Sequence, residues 1–185
     1  MPEAQTPRYF GDPEEREKYN SQLKLTRCLF CKATGYLNRH GYLKGYSDQS
    51  PNATVIRGYR YFCSNRNKRR GCGRTYSVLL AEVLRRCVVS ATVLWRFVKA
   101  LSDGACVRQA WRQLDSTFSL SAAYSWKARL RRALPHLRTR LHPLAPVPPC
   151  MSRQPLVQTM QHLVLCFPSN PITAFQHHFQ RPFFA

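Results

Sequence analysis

Acidic side chains are what this chain has least of. Nine Asp and Glu stand against 29 Lys and Arg, a formal net charge of +20, and neither acid occurs after Asp115. Two-metal phosphoryl transfer needs carboxylates to hold its ions, so residues 116–185 offer that chemistry no ligands. A long apolar run is also missing. The most apolar stretch, Val88–Leu101, is broken by Arg96 and Lys99 and falls short of the roughly 20 residues a spanning helix needs. Met1–Tyr19 is acidic and Pro-bearing, without the basic and apolar regions of a signal peptide. These absences predict a soluble, cytoplasmic protein that is not an enzyme. Its surplus cations call for a polyanion, with nucleic acid as the leading partner and no membrane.

Cysteine, by contrast, is plentiful, with eight residues. Without an export signal, paired cysteines argue for metal ahead of disulfides. Cys28-Leu29-Phe30-Cys31 opens a stretch that closes with Cys63 and with Cys72-Gly73-Arg74-Thr75-Tyr76. Cys28, Cys31, Cys63 and Cys72 are therefore the expected thiolate ligands of one structural Zn²⁺, which favours a closed tetrahedral sulfur shell. Cys87, Cys106, Cys150 and Cys166 lack such spacing and read as small buried apolar residues. His40 reads as exposed and not as a ligand.

Between the cysteine pairs, Tyr36–Tyr46 and Val55–Phe62 are rich in aromatics and joined by the polar turn Ser47–Asn52, the pattern of a hairpin ribbon. Residues 64–71 separate Cys63 from Cys72 and carry Arg66, Lys68, Arg69 and Arg70, with Arg74 just beyond. That cationic finger is suited to phosphates, and binding through it would weaken with salt.

After Ser77 the period becomes helical. Val78, Leu79, Ala81, Val83 and Leu84 predict a short helix on the ribbon. Ser90 caps a second helix with Leu94, Phe97, Val98 and Leu101 on one face, and Val107, Ala110, Trp111 and Leu114 mark a third. Ser121 is expected to cap a fourth, buried through Ala123, Trp126, Leu130, Ala133 and Leu134, until Pro135 ends or kinks it. At about 100° per residue its opposite face gathers Ser121, Tyr124, Ser125, Ala128, Arg131 and Arg132. Small polar groups there suit base edges and the arginines suit phosphates. The adjacent His177-His178 pair does not supply the two histidines flanking an apolar residue that a single-strand nuclease needs.

Cys28-x-x-Cys31, the run Tyr59-Arg60-Tyr61-Phe62-Cys63 and then Gly71-Cys72-Gly73-Arg74-Thr75-Tyr76 resemble the N-terminal zinc ribbon of bacterial insertion-sequence transposases. Ser121–Leu130 is similar to the recognition helix of their helix-turn-helix domains. The chain departs from the family at Leu29 and Lys32, where Pro and Gly are common, and in the length of residues 64–71, where the family usually has two. Phage late-gene activators resemble the same stretch and also lengthen that spacing. The resemblance implies recognition of double-stranded DNA at transposon ends. The three carboxylates with which such transposases cut have no counterpart in the acid-free C-terminal part.

The resulting expectation is a small zinc ribbon of short antiparallel strands with a four-cysteine site, followed by an all-α helix-turn-helix domain and a helical C-terminal tail. Its parts are a loose acidic arm (1–24), the ribbon (25–77), the helix-turn-helix domain (78–142), a Pro-rich linker (143–153) and an apolar tail (154–185). The tail either packs on its own domain or serves a protein partner or self-association. Functionally this is a non-catalytic, nucleoid-associated DNA-binding protein. A transcriptional regulator, or an accessory subunit of a transposase or nuclease acting in trans, is the alternative.

Overall fold

A computed structural model describes residues 7–48, 50–68, 70–114, 118–149 and 152–184. The chain divides after Ala81 into two compact units.

The first unit is a four-stranded sheet with the order β1-β4-β3-β2, formed by β1 (Arg8–Phe10), β2 (Leu37–Ser47), β3 (Ser50–Cys63) and β4 (Thr75–Leu80), with helix α1 (Pro13–Ser21) following β1. β2 and β3 are long, at 11 and 14 residues, and β1 runs parallel to β4. The ribbon pairs β2–β3 and β3–β4 are antiparallel as expected, but β2 and β3 are not short, and β1 adds a parallel pair. Gly58 is what lets β3 close on β4: a Cβ there would lie 2.4 Å from the Val78 carbonyl oxygen, a separation no side chain tolerates.

The expected loose arm, with at most one exposed turn of helix near Asp12-Pro13-Glu14-Glu15, is corrected from Arg8 onward: the helix starts there but is longer, and the arm is packed. Asp12 caps α1 by accepting from the Glu15 amide at 2.7 Å, and the Gly11 amide donates back to Glu15 at 3.1 Å. Pro13 occupies the first helical position, where its missing N–H costs nothing. Phe10, Tyr19 and Leu23 then join Leu37, Tyr61, Tyr76 and Val78 in one buried cluster. The helix expected around Val78 and Leu79 is instead β4, with Tyr76 and Val78 on its buried side. Over so few residues the two periods share the same apolar positions, and pairing with β3 decides between them.

The second unit is helical: α2 (Ala91–Ser102), α3 (Val107–Arg112), α4 (Leu120–Leu141), α5 (Pro155–Cys166) and α6 (Pro171–Phe179). Ser90 caps α2 through its hydroxyl, and Leu94, Phe97, Val98 and Leu101 are buried as the spacing predicts. Phe97, Trp111 and Trp126 meet edge to face, the two indoles 4.8 Å apart. α4 begins one residue after Ser119, not after Ser121, whose hydroxyl sits in the first turn 2.6 Å from that of Ser119.

Pro135 neither ends α4 nor shortens it. An interior proline costs about 3 kcal/mol, but Leu137 and Leu141 beyond it are fully buried, and each buried leucine returns roughly 1.5–3 kcal/mol. The helix therefore continues with Pro135 on its exposed side. The apolar tail packs on its own unit: Met160, Leu163, Ile172, Phe175, Phe183 and Phe184 share a core with Leu94, Phe97 and Trp111. Arg138 ties α4 to α5 by donating to Thr159 and Gln158 at 2.9 and 2.8 Å. Glu82 holds the starts of α2 and α6 together, accepting from the Thr92 amide and the Thr173 hydroxyl. No helix among the described residues is long and apolar enough to cross a membrane.

Candidate metal centre and nucleic-acid interface

Cys28 and Cys31 lie in the loop between α1 and β2, and Cys63 and Cys72 flank the loop between β3 and β4. Their four sulfurs all lie within 4.8 Å of one another. Cys28 and Cys72 are 3.7 Å apart, as are Cys31 and Cys63. A disulfide requires about 2.05 Å, so these are not bonded pairs. Tetrahedral ligands about 2.3 Å from an ion are about 3.8 Å from each other, which is close to both of these sulfur edges. The cluster can hold one metal ion.

Each knuckle is built by backbone. In the first, the Cys28 amide donates to the Ala33 carbonyl at 2.9 Å and the Lys32 amide to the Cys28 carbonyl at 3.1 Å. Lys32 takes a left-handed φ of 63° to make that turn, a conformation glycine adopts more cheaply. In the second, the Gly71 amide reaches the Ser64 carbonyl at 3.1 Å and the Gly73 amide the Cys63 carbonyl at 2.9 Å. Residues 65–68 and 70 are thereby looped out, and Cys63-Ser64 meets Gly71-Cys72 as though the sequence read Cys-x-x-Cys. This contact accounts for the long interval. Amides of Phe30 and Cys72 point at the sulfurs of Cys28 and Cys63, both at 3.4 Å.

The thiols differ in how readily they ionise. Burial pushes Cys63 up to about 12 and raises Cys72 as well. Cys31, which is exposed, is lowered to about 7 by a hydrogen bond from the Ala33 amide. Four sulfurs this close repel as thiolates, and a bound cation reverses the sign of that interaction.

Arg66, Lys68, Arg70 and Arg74 are all exposed, and Arg69 lies outside the described residues. Asn67 and Lys68 both hold left-handed φ, at 54° and 59°. Arg66 lies over the Phe62 ring at 5.6 Å and Arg74 over Phe30 at 5.1 Å, so the aromatic residues beside the cysteines support the flanking arginines.

In the helical unit, Ser121, Tyr124, Ser125, Ala128, Arg131 and Arg132 are exposed along one side of α4, and Trp126 is buried against Trp111. His40 is exposed, and it is not in the sulfur cluster. Of the remaining cysteines, Cys87 is buried as expected and Cys166 half-buried. Cys106 corrects the expectation: it is exposed at the N-cap of α3. Cys150 lies outside the described residues.

The sequence reading overlooked Arg39, whose guanidinium sits 5.4 Å from the Tyr42 ring and 5.8 Å from Tyr59. The cross-strand register of Tyr42 with Tyr59 creates that grouping, and no local pattern announces it. No protein family, no curated protein and no solved structure matches this chain.

Proposed function

We propose that the protein is a non-catalytic, zinc-stabilised binder of double-stranded DNA, comparable to the end-recognition region of a transposase. The observation that carries the DNA part is the exposed, acid-free face of α4, which joins polar groups to arginines. Tyr124 is 55% exposed, Ser121, Ser125, Ala128, Arg131 and Arg132 are exposed beside it, and no acid occurs anywhere on the helix. A helix of that kind fits the major groove, with its N-terminal polar groups toward base edges and its arginines toward phosphates. The loop residues Arg66, Lys68, Arg69, Arg70 and Arg74 would add sequence-independent phosphate contacts.

Zn²⁺ is the ion best suited to an all-sulfur, tetrahedral donor set. Bound by Cys28, Cys31, Cys63 and Cys72, with no ligand position left open, it would supply folding free energy and no chemistry.

Two measurements test this reading. Metal analysis of the purified chain should give one zinc per protein, and footprinting on DNA flanking its own gene should give a salt-sensitive protected site. Cys28→Ala or Cys72→Ala should lower the metal content and unfold the sheet unit. Full metal content in both variants would refute the zinc site, and an unprotected duplex at low salt would refute the DNA reading.

A further inference from the structure

Within the helical unit, a cleft of about 560 Å³ opens between α4, the start of α5 and the turn after α2, and its lining includes Gly104, Lys127, Arg131, Leu134, Gln154 and Leu156. Among the described residues, no Asp or Glu lines it. Lys127 and Arg131 lie one turn apart on α4, where like charges repel. Three other cations of α4 are already engaged: Arg129 donates to the Arg86 carbonyl, Arg132 to Ala128, and Arg138 to Thr159 and Gln158. Among the described residues, Lys127 and Arg131 meet no acceptor. Asp103, the acid nearest in sequence to Gly104, pairs with Lys99 at 3.0 Å and is not in the lining.

The wall after α2 carries the negative dipole end of that helix, though its terminal carbonyls are engaged. The last carbonyls of α2, on Lys99, Ala100 and Leu101, are capped by the amides of Asp103, Ala105 and Gly104. α5 enters the cleft by its N-terminal end, with Pro155 at the first position and no side-chain cap from Gln154, so its positive dipole end adds to the two cations. The Arg138 contacts fix α5 at this distance from α4, which makes the recess preformed.

We infer that this recess binds a phosphate group. Two like charges held together in a cleft without acids are relieved by one tetrahedral dianion or phosphodiester, and the neighbouring dipole favours the same sign. The source is a duplex backbone phosphate or a free phosphate. The first of these rests on the DNA-binding reading, and the second does not.

The zinc-loaded full chain separates the two. At constant ionic strength, replacing chloride with inorganic phosphate should raise the melting midpoint of the helical unit by roughly 5 °C at ~10 times the dissociation constant. Lys127→Gln/Arg131→Gln should abolish that response, and the charge-matched Arg108→Gln/Arg112→Gln should keep it. Gln154→Glu, which tethers a carboxylate at the mouth of the cleft, should raise the midpoint by itself and remove the response to phosphate. This variant tests the recess even if the double variant fails to fold.

For duplex, the Lys127→Gln/Arg131→Gln slope of log affinity against log salt should be shallower by about 0.9, one phosphate's worth. That result assigns the recess to the DNA backbone. An unchanged slope with the phosphate response lost assigns it to a free phosphate. A wild type that ignores duplex but keeps its phosphate response refutes the DNA reading and leaves the recess standing. A wild type whose midpoint is indifferent to phosphate, together with an unchanged slope in the variant, overturns the inference.

Discussion

Gly71 decides whether two cysteines separated by a long loop can act as a knuckle. A Cβ at this position would lie 2.1 Å from the Ser64 carbonyl oxygen and 3.0 Å from the Cys63 carbonyl carbon. Both obstacles are backbone, so no side chain can swing away. Gly71→Ala should cost about 1–3 kcal/mol and lower metal affinity at least tenfold in a competition titration against a chromophoric chelator, because the cost falls on the geometry that brings Cys72 to Cys63. A wild-type titration curve would show that the Ser64–Gly71 contact is incidental to the site. Tyr61 and Tyr76 make a second residue-scale case. Burial raises both above the ordinary value of 10.0, and Tyr76 shares its hydroxyl with Tyr19 in a buried hydrogen bond. Below about pH 10 these groups are neutral in the folded and the unfolded chain alike, so the stability they allow is fully present. As the pH climbs, the unfolded chain ionises first and stability drains away until the folded-state values are reached. Alkaline titration should therefore show part of the tyrosinate absorbance appearing late and together with the loss of the sheet. Tyrosinate appearing in one early phase, with the sheet intact, would contradict this.

At the level of elements, what could be foreseen follows from whether the signal is local. α2 was legible because a capping serine and four apolar residues at i, i+3, i+4 and i+7 all act within one stretch. The Cys28/Cys31 pair was legible for the same reason. β1 was not, since Arg8–Phe10 is too short to show a period and is held by β4, with Tyr9 opposite Leu79. α4 is intermediate: its buried face was readable, but its length depended on whether Leu137 and Leu141 would find a core beyond Pro135. They do so with residues of α5 and α6, a contact no window around Pro135 contains. This sets up a test of the proline itself. Pro135 is exposed, and its missing amide deprives the Arg131 carbonyl of its intrahelical donor. Pro135→Ala should therefore stabilise the helical unit, by about 1–2 kcal/mol once the greater freedom of the unfolded chain is set against the gained helix propensity. Thermal melting followed by helical circular dichroism measures it, and a lower midpoint would mean that the backbone Pro135 imposes is what lets Leu137 and Leu141 reach their partners.

Across the whole molecule, two separate cores divide the work of stability. The sheet unit buries an aromatic cluster that includes Cys28 and Cys63, so its interior is continuous with the sulfur shell. The helical unit buries Phe97, Trp111, Trp126, Leu130, Phe175 and Phe183, and among the described residues its side chains form no metal-ligand cluster. A net charge of +20 loads both with self-repulsion, which weakens as salt rises. The four-cysteine cluster offsets that repulsion for the sheet unit only when a cation occupies it, since four thiolates by themselves would add repulsion of their own. Chelation should therefore remove one transition and spare the other: the β-sheet signal and the burial of the tyrosines should vanish, while the helical signal still melts cooperatively with the tryptophan fluorescence of Trp111 and Trp126. Acid should reproduce the effect of the chelator, because protons compete with the ion for the same sulfurs. Two transitions that both persist at full amplitude without metal would show that the sheet stands on its aromatic core alone, and the sulfurs would then have no structural role left to explain their convergence.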